Sequence, residues 1–318
     1  SGTMTHRSSK PIALLLFITT LLFCGSGSAA PKVVVSILPI HSLVSGLMSG
    51  IGEPYLLLKG NQSPHTMTLK PSDVRAISQA DLLVWVGESL ESPLNRVIDN
   101  HSGSESIISL LTIPNLHLLP VRHDLDWSRH DHSEHHEEAH SDDEMEWDNH
   151  IWLSPENART IVQYLAQVLI RLDTDHTAEY RTNLQKLLQR IDRDEMAFHA
   201  TISAVKDRPF IVFHDAYHYL EDHFGLNAVG SVSISPERQS GAKHIHKLQQ
   251  KIRRLEAICV FSEPQFQPKL VDTLTSGTEA NAGILDPLGM ALTPGPEAYF
   301  QLLNGLADNL ATCLGGAL

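Results

Sequence analysis

The chain repeats one local pattern: a short, continuous apolar run followed by a segment with helical spacing. The clearest runs are KVVVSIL (residues 32–38), DLLVWVG (81–87), PFIVF (209–213) and AICVF (257–261). Such runs are typical of strands covered on both faces, which occur in parallel sheets flanked by helices. Strand–helix alternation with short connections also favours right-handed crossovers. The predicted fold class is α/β, with mainly parallel sheets flanked by helices.

One long interruption divides this alternation into two lobes. After it, residues from Pro155 to about 172 have helical spacing, and a longer helical segment follows without any Gly or Pro between 177 and 205. A helix of this composition should be stiff. We predict an N-terminal α/β lobe over residues 31–172, one connecting helix over 173–206 and a C-terminal α/β lobe over 207–318. A chain of 318 residues can form two lobes with real cores.

Residues 1–30 have the pattern of a secretory signal peptide. Basic residues precede an apolar stretch over 12–23, and Ser28-Ala29-Ala30 fits a cleavage site. The stretch is too short to cross a bilayer comfortably. Cys24 suggests a lipid-anchored form as the less favoured alternative, since Phe23 stands where a lipobox requires a small residue. Residues 1–3 resemble a cloning remnant before Met4. We therefore expect a periplasmic protein.

The formal charge of −13 comes mainly from residues 122–149. This segment has eleven acidic residues against Arg122 and Arg129, so it contributes −9 and leaves −4 for the rest. The nearly balanced remainder has no basic face for phosphates, which excludes nucleic acid as a partner. The segment also contains His123, His130, His132, His135, His136 and His140. We predict a disordered loop with loose metal binding, and a solvated spacer is the alternative.

Three further histidines and one aspartate lie at strand ends or at the start of loops. They are His65 in SPHTMTLKPSD, His150 in DNHIWLSPEN, His214 in FIVFHDAYHYLEDHFG and Asp286 in GILDPLG. Ligands in open α/β sheets collect at the carboxyl ends of strands. With two candidates in each lobe, a shared metal would lie in the cleft between them. A single histidine near a strand end is more often structural, so position alone leaves the shared site open.

The phrases SPHTMTLKPSD, NHIWLSPENA, FHDAYHYLEDHFGL, SEPQF and LDPLG, in this order, resemble the zinc-binding solute-binding proteins of bacterial ABC importers. These form the ZnuA-like group of the cluster A-I (cluster 9) family, and the resemblance runs from residue 32 to the C-terminus. It implies two α/β lobes joined by a rigid helix. It also implies a metal held in the cleft by His65, His150 and His214, with Asp286 or a water as the fourth ligand.

The resemblance also bears on the choice of metal. Manganese-binding relatives typically carry Glu at the place of His214, so His214 favours zinc. Three imidazoles with a carboxylate or water suit tetrahedral Zn²⁺, whereas manganese favours oxygen ligands.

Two cysteines remain outside the signal peptide, Cys259 and Cys313. Export favours a disulfide between them, which would fix the last helix, and two buried free thiols are the alternative. The resemblance supports the disulfide, since this pair matches one that is bridged in some zinc-binding members.

The implied function is high-affinity capture of Zn²⁺ and its delivery to an ABC permease in the inner membrane, without enzymatic activity. The acidic loop would collect zinc weakly and pass it to the cleft. We expect a monomer whose partners are zinc and the permease, with a periplasmic zinc chaperone as a further candidate. The alternatives are a manganese- or iron-binding protein or an adhesin on the same scaffold, and an exported zinc hydrolase. The motif that suggests a hydrolase, H-E-x-x-H at residues 136–140, lies in a tract where coincidence is expected.

Overall fold

The structure is a computed structural model. It describes residues 2–3, 29–60, 62–100, 106–123, 127, 146–233, 242–265 and 268–315. Most of the predicted signal peptide lies outside the described residues, as do five of the six loop histidines: His130, His132, His135, His136 and His140. Among the described residues, no helix combines the length and apolar character needed to span a bilayer.

The first lobe is built on a parallel sheet of four strands in the order β2-β1-β3-β4. The strands are β1 (Val33–Val35), β2 (Tyr55–Leu56), β3 (Leu82–Trp85) and β4 (Ile107–Ser109), and the helices between them are α1 (Leu38–Leu47), α2 (Pro71–Ser78) and α3 (Ser92–Asp99). The first apolar run, predicted as one strand, turns into α1 early. Pro39 lies in the first turn of that helix, where its fixed φ is favourable and no N–H is needed.

Two long helices follow the first sheet, and the second of them connects the lobes. Helix α4 (Pro155–Leu172) is capped at its N-terminus by Ser154, whose Oγ accepts a hydrogen bond from the backbone N–H of Asn157. A 3₁₀ turn over Thr174–His176 separates α4 from α5 (Thr177–Ile202), which packs against it. The long connecting helix is thus present, and it is shorter at both ends than the predicted 173–206.

The second lobe repeats the topology of the first. Its parallel sheet has the order β6-β5-β7-β8. The strands are β5 (Phe210–His214), β6 (Ala228–Ser233), β7 (Cys259–Ser262) and β8 (Asn281–Ile284), with helices α6 (His218–Phe224), α7 (Ala242–Arg254) and α8 (Pro268–Thr275). The predicted α/β class with two mainly parallel sheets is confirmed.

The last helix, α9 (Ala298–Gly315), crosses back to the first lobe and packs against α1 and α5. The backbone N–H of Tyr299 donates to Ser42 Oγ over 2.9 Å, and its hydroxyl donates to the carbonyl of Trp152 over 3.1 Å. One continuous apolar core therefore includes residues of both sheets and of α1, α4, α5 and α9. Lobes that share a core cannot open widely without exposing it.

The Cys259–Cys313 disulfide joins β7 to α9, with 6.2 Å between the Cα atoms, and confirms the predicted bridge. Gly283 of the adjacent strand β8 packs closely beside it. A Cβ added at Gly283 would lie 3.1 Å from Cys313 Sγ and 2.5 Å from the ring of Phe261. This position therefore requires glycine.

Candidate metal centre

His65, His150 and His214 line one small cavity between the lobes. His65 lies in the loop between β2 and α2, His150 directly precedes the 3₁₀ turn Ile151–Leu153, and His214 is the last residue of β5. His150 and His214 are buried, and His65 is half-buried. The cavity has a volume of about 10 Å³, which is room for a single water or ion.

The spacing of the two buried imidazoles fits a shared ion. The ring centroids of His150 and His214 lie 5.4 Å apart, with 63° between the ring planes. A tetrahedral zinc with Zn–N bonds of about 2.0 Å would place two ring centroids about 5 Å apart. The observed separation is close to this value.

Each buried imidazole is oriented by a carboxylate. His150 Nδ1 lies 2.7 Å from Asp148 Oδ1, and His214 Nδ1 lies 2.5 Å from Glu263 Oε1. An ionised carboxylate only accepts hydrogen bonds, so in the neutral ring Nδ1 carries the proton and Nε2 carries the lone pair. Histidines that bind metals are usually held in this way, since the second hydrogen bond fixes both tautomer and ring orientation.

The sequence suggests Glu263 as a pocket residue, with a simple turn as the alternative, and it does not predict that either carboxylate orients a histidine, although a signal is available for both. Asp148 lies two residues before His150, within reach of its ring and its backbone N–H. Glu263 directly follows β7, which is the neighbour of β5 in the sheet.

The electrostatics of the site favour a cation. Burial raises the pKa of Asp148, but the charge and hydrogen bonds of His150 outweigh this effect, and the pKa lies below its usual range. For His214, burial lowers the pKa, but the charge and hydrogen bond of Glu263 and the charges of Asp215 and Asp148 outweigh burial, and the pKa lies above its usual range. The cavity thus attracts positive charge, and a proton competes with a metal for His214.

The side chain of Asp286 stabilises the loop next to the cavity. Its Oδ1 accepts hydrogen bonds from the backbone N–H groups of Leu288 (3.0 Å) and Gly289 (2.9 Å), and its Oδ2 accepts one from Met290 (2.7 Å). Pro287 and Leu288 line the cavity. A carboxylate offers about four lone-pair positions, so three backbone contacts leave Asp286 room for one more.

The loop that contains Asp286 is fixed against the first lobe. Trp152, two residues after His150, donates a hydrogen bond from Nε1 to the carbonyl of Pro287 over 2.7 Å, and its side chain also lines the cavity. The wall of the cavity is therefore formed by both lobes and tied by a buried hydrogen bond.

A wider cavity of about 260 Å³ adjoins the small one and shares its three histidines. Its other lining residues include His123 and Glu146, which lie near the two ends of the acidic His-rich segment. The segment's ends pair with each other: Val121 N–H donates to the carbonyl of Glu146 over 3.0 Å, and Asp148 N–H donates to that of Leu119 over 2.9 Å. The acidic segment therefore begins and ends at the mouth of the histidine cavity.

Arg122 attaches the paired ends of the acidic segment to the second lobe. Its guanidinium forms ion pairs with Asp215 and Glu221, and it lies 3.5 Å above the ring of Trp127. Asp215 directly follows His214 in the chain. The start of the acidic segment is therefore held beside one of the three histidines.

The chain matches one sequence family over most of its length. The model of the family described as zinc-uptake complex component A periplasmic (ZnuA) matches residues 33–313. A high-affinity zinc uptake system protein ZnuA from Brucella abortus (strain 2308) is 41% identical over 316 residues, which cover 92% of this chain and 95% of that protein. The protein of the same name from Yersinia pestis is 30% identical, with 98% of this chain and 100% of that protein covered.

Solved structures share the fold. A crystal structure of ZnuA has a TM-score of 0.73 at 23% identity and covers 90% of this chain and 99% of its own. The periplasmic zinc binding protein TroA from Treponema pallidum has a TM-score of 0.74 at 21% identity, with the same coverage. A Mn-bound periplasmic metal binding protein from candidatus Liberibacter asiaticus has a TM-score of 0.70 at 19% identity, covering 88% of this chain and 98% of its own. At such identities these likenesses establish the fold, and the match over residues 33–313 together with the 41% identical relative establishes that the chain belongs to the ZnuA family of periplasmic zinc-uptake components.

Proposed function

We propose that this protein captures Zn²⁺ in the periplasm and delivers it to an ABC permease in the inner membrane. The observation that carries the proposal is the cavity with room for one ion, lined by three histidines, two of which are oriented by buried carboxylates. A relative that is 41% identical is named high-affinity zinc uptake system protein ZnuA, which supports zinc as the cargo.

The ligands we assign are Nε2 of His150 and His214, an imidazole nitrogen of His65, and Asp286 or a water in the fourth position. The spacing of the two buried rings and the tautomer set by their carboxylates support this assignment. Asp286 has capacity for one more contact, and the lining residues Pro287 and Leu288 place its loop beside the cavity. Ligand histidines must be neutral, so a proton is released when a protonated histidine binds zinc.

The fold alone does not choose the metal, because solved relatives of the same fold include a zinc-binding protein, a Mn-bound protein and a laminin-binding adhesin. The residue types favour zinc over manganese, because imidazoles suit zinc and manganese favours oxygen ligands. Imidazoles also suit iron, and zinc is favoured over iron because the relatives are named zinc uptake proteins.

A binding role is favoured over a zinc hydrolase. A hydrolase needs a general base beside an open position on the metal. The two buried carboxylates next to the cavity, Asp148 and Glu263, each accept the Nδ1 hydrogen bond of a histidine, which suits them to orient ligands. One tightly held zinc per chain without turnover of peptide or ester substrates would agree with this assignment, and turnover that depends on zinc would contradict it.

Zinc release into the permease needs only local movement in this proposal. The continuous core across the lobes and the Trp152–Pro287 hydrogen bond oppose a wide hinge opening. A shift of the loop that contains His65, which is half-buried, would suffice. We include in the proposal a monomeric state and a periplasmic zinc chaperone as a donor.

The acidic His-rich segment is proposed as a loose zinc collector that supplies the cavity. Its two ends line the wider cavity above the three histidines, and Arg122 holds its start beside His214. Deletion of residues 124–147 should reduce zinc uptake when zinc is scarce and have little effect when zinc is abundant. Equal zinc uptake with the natural protein and with the deletion variant, at low and at high zinc, would instead identify the segment as a spacer.

The site assignment is tested by replacing His214 with Ala. Competition with a chromophoric zinc chelator should show that the one tightly bound zinc per chain is lost. Far-UV circular dichroism should show that the fold is unchanged. His117→Ala is the matched control, because its side chain is 44% exposed and lies outside the cavity. A His214→Ala protein with the affinity of this control would refute the assignment.

A further inference from the structure

A second group of metal-ligating side chains lies where α5 meets α6. It consists of Glu195 and His199 of α5 and His223 near the end of α6. Glu195 and His199 are four residues apart, so they occupy the same helical face. One ligand atom from each of the three residues lies within 4.8 Å of the other two. The three side chains thus converge from two helices.

Neighbouring groups already hold these side chains in place. His223 Nε2 lies 2.5 Å from Glu195 Oε1, and Arg159 of α4 forms an ion pair with Glu195 Oε2. The rings of His199 and His223 both contact Phe224, each with its centroid 4.8 Å from that of Phe224. The ring centroids of His199 and His223 lie 6.4 Å apart, so the two rings must approach each other by about 1 Å to share a tetrahedral ion. His199 is exposed on α5, and a rotation of its side chain can supply this movement.

Glu195 is charged in this arrangement. Burial raises its pKa, but its hydrogen bonds to Arg159 and His223 outweigh this effect, and the pKa lies below the usual range. An ionised carboxylate with two imidazoles is a donor set that Zn²⁺ and similar divalent transition ions prefer, with water completing the coordination. The positive charge of Arg159 beside the carboxylate opposes a cation and reduces its affinity.

We propose that Glu195, His199 and His223 form a second, weaker binding site for a divalent transition-metal ion, filled by zinc when zinc is abundant. The ion would replace the hydrogen bond between His223 and Glu195 and link α6 to the connecting helix α5. Helix α6 also carries Tyr219, whose hydroxyl donates to the carbonyl of Asp148 over 2.8 Å. An ion at the α5–α6 junction would therefore stiffen the helix that contacts the residue orienting His150.

This site shares no residue with the lining of the cavity, and its test separates the two. Zinc binding to the full chain would be measured by equilibrium dialysis against increasing ZnCl₂ for the natural sequence, His199→Ala and His246→Ala. His199 is exposed, so its replacement spares the core, and His246 is a matched exposed histidine on α7. Zinc bound by the acidic segment contributes equally to all three proteins.

We expect His199→Ala to lose one weakly bound zinc per chain and to keep the tightly bound zinc. His246→Ala should keep both. Glu195→Gln should show the same loss, which would exclude an effect peculiar to one imidazole. In crystals grown with excess zinc, anomalous scattering at the zinc absorption edge should place an ion between His199 and His223. Equal zinc binding by His199→Ala and His246→Ala, or crystals without that ion, would overturn the proposal.

Discussion

Glu263→Gln tests whether the buried carboxylate behind His214 contributes to zinc binding. The substitution keeps the size of the side chain and removes its charge. Glu263 is 2% exposed, and its Oε1 lies 2.5 Å from His214 Nδ1, so water does not screen the interaction. The amide that replaces the carboxylate makes the imidazole a weaker electron donor to the metal.

The expected loss follows from the role of such partners in metal sites. Replacing the carboxylate behind a ligand histidine typically lowers metal affinity by about 10- to 100-fold, which corresponds to about 1.4–2.7 kcal/mol. The loss should shrink as the pH falls. Glu263 raises the pKa of His214, so removing its charge also weakens the competing proton. We therefore expect the full difference in zinc affinity between the natural protein and Glu263→Gln near pH 8. The difference should be smaller near pH 6, where protons already compete with zinc in the natural protein.

The assay is competition with a chromophoric zinc chelator at less than one zinc per chain, so that weak sites contribute little. Glu279→Gln is the matched control, since Glu279 is exposed in the turn before β8. Circular dichroism would establish that both variants are folded. A Glu263→Gln protein with the zinc affinity of the control near pH 8 would refute the orienting role of this carboxylate.

Three further predictions follow from the same geometry. Asp148→Asn should also lower zinc affinity by about 10- to 100-fold, because it removes the charge behind His150, and chelator competition measures this loss. Cys313→Ser should lower the free energy of unfolding by up to about 4 kcal/mol, because the disulfide closes a loop with a sequence separation of 54, and urea titration of both proteins measures the change. Zinc affinity of the natural protein should fall as the pH is lowered through the raised pKa of His214, since the protonated ring cannot bind zinc. Chelator competition that gives the same zinc affinity at pH 8 and at about pH 6 would contradict this.

Much of the fold could be predicted from sequence because the signals are local. Continuous apolar runs such as the one ending at Phe213 identify strands covered on both faces, and the stretch without Gly or Pro identifies the connecting helix. Helix ends were less predictable. The connecting helix begins at Thr177 instead of residue 173, because a 3₁₀ turn follows Asp173.

The candidate site, too, could be predicted from sequence only in part. His65, His150 and His214 could be named from their phrases, and the structure brings all three to one cavity. Asp286 as the fourth ligand stays a prediction. The pairing of His214 with Glu263 spans 49 residues and depends on β5 and β7 being neighbours, which no local pattern states.

The sequence by itself determined the α/β class, the three candidate histidines and the His-rich segment, because periodicity and composition are properties of adjacent residues. Only the tertiary structure decided which carboxylate orients which histidine, that α9 closes back onto the first lobe, and that Glu195, His199 and His223 converge. These facts depend on strand order and helix packing. They arise from contacts between residues far apart in the chain, and burial within the shared core selects among such contacts only when the whole chain has folded.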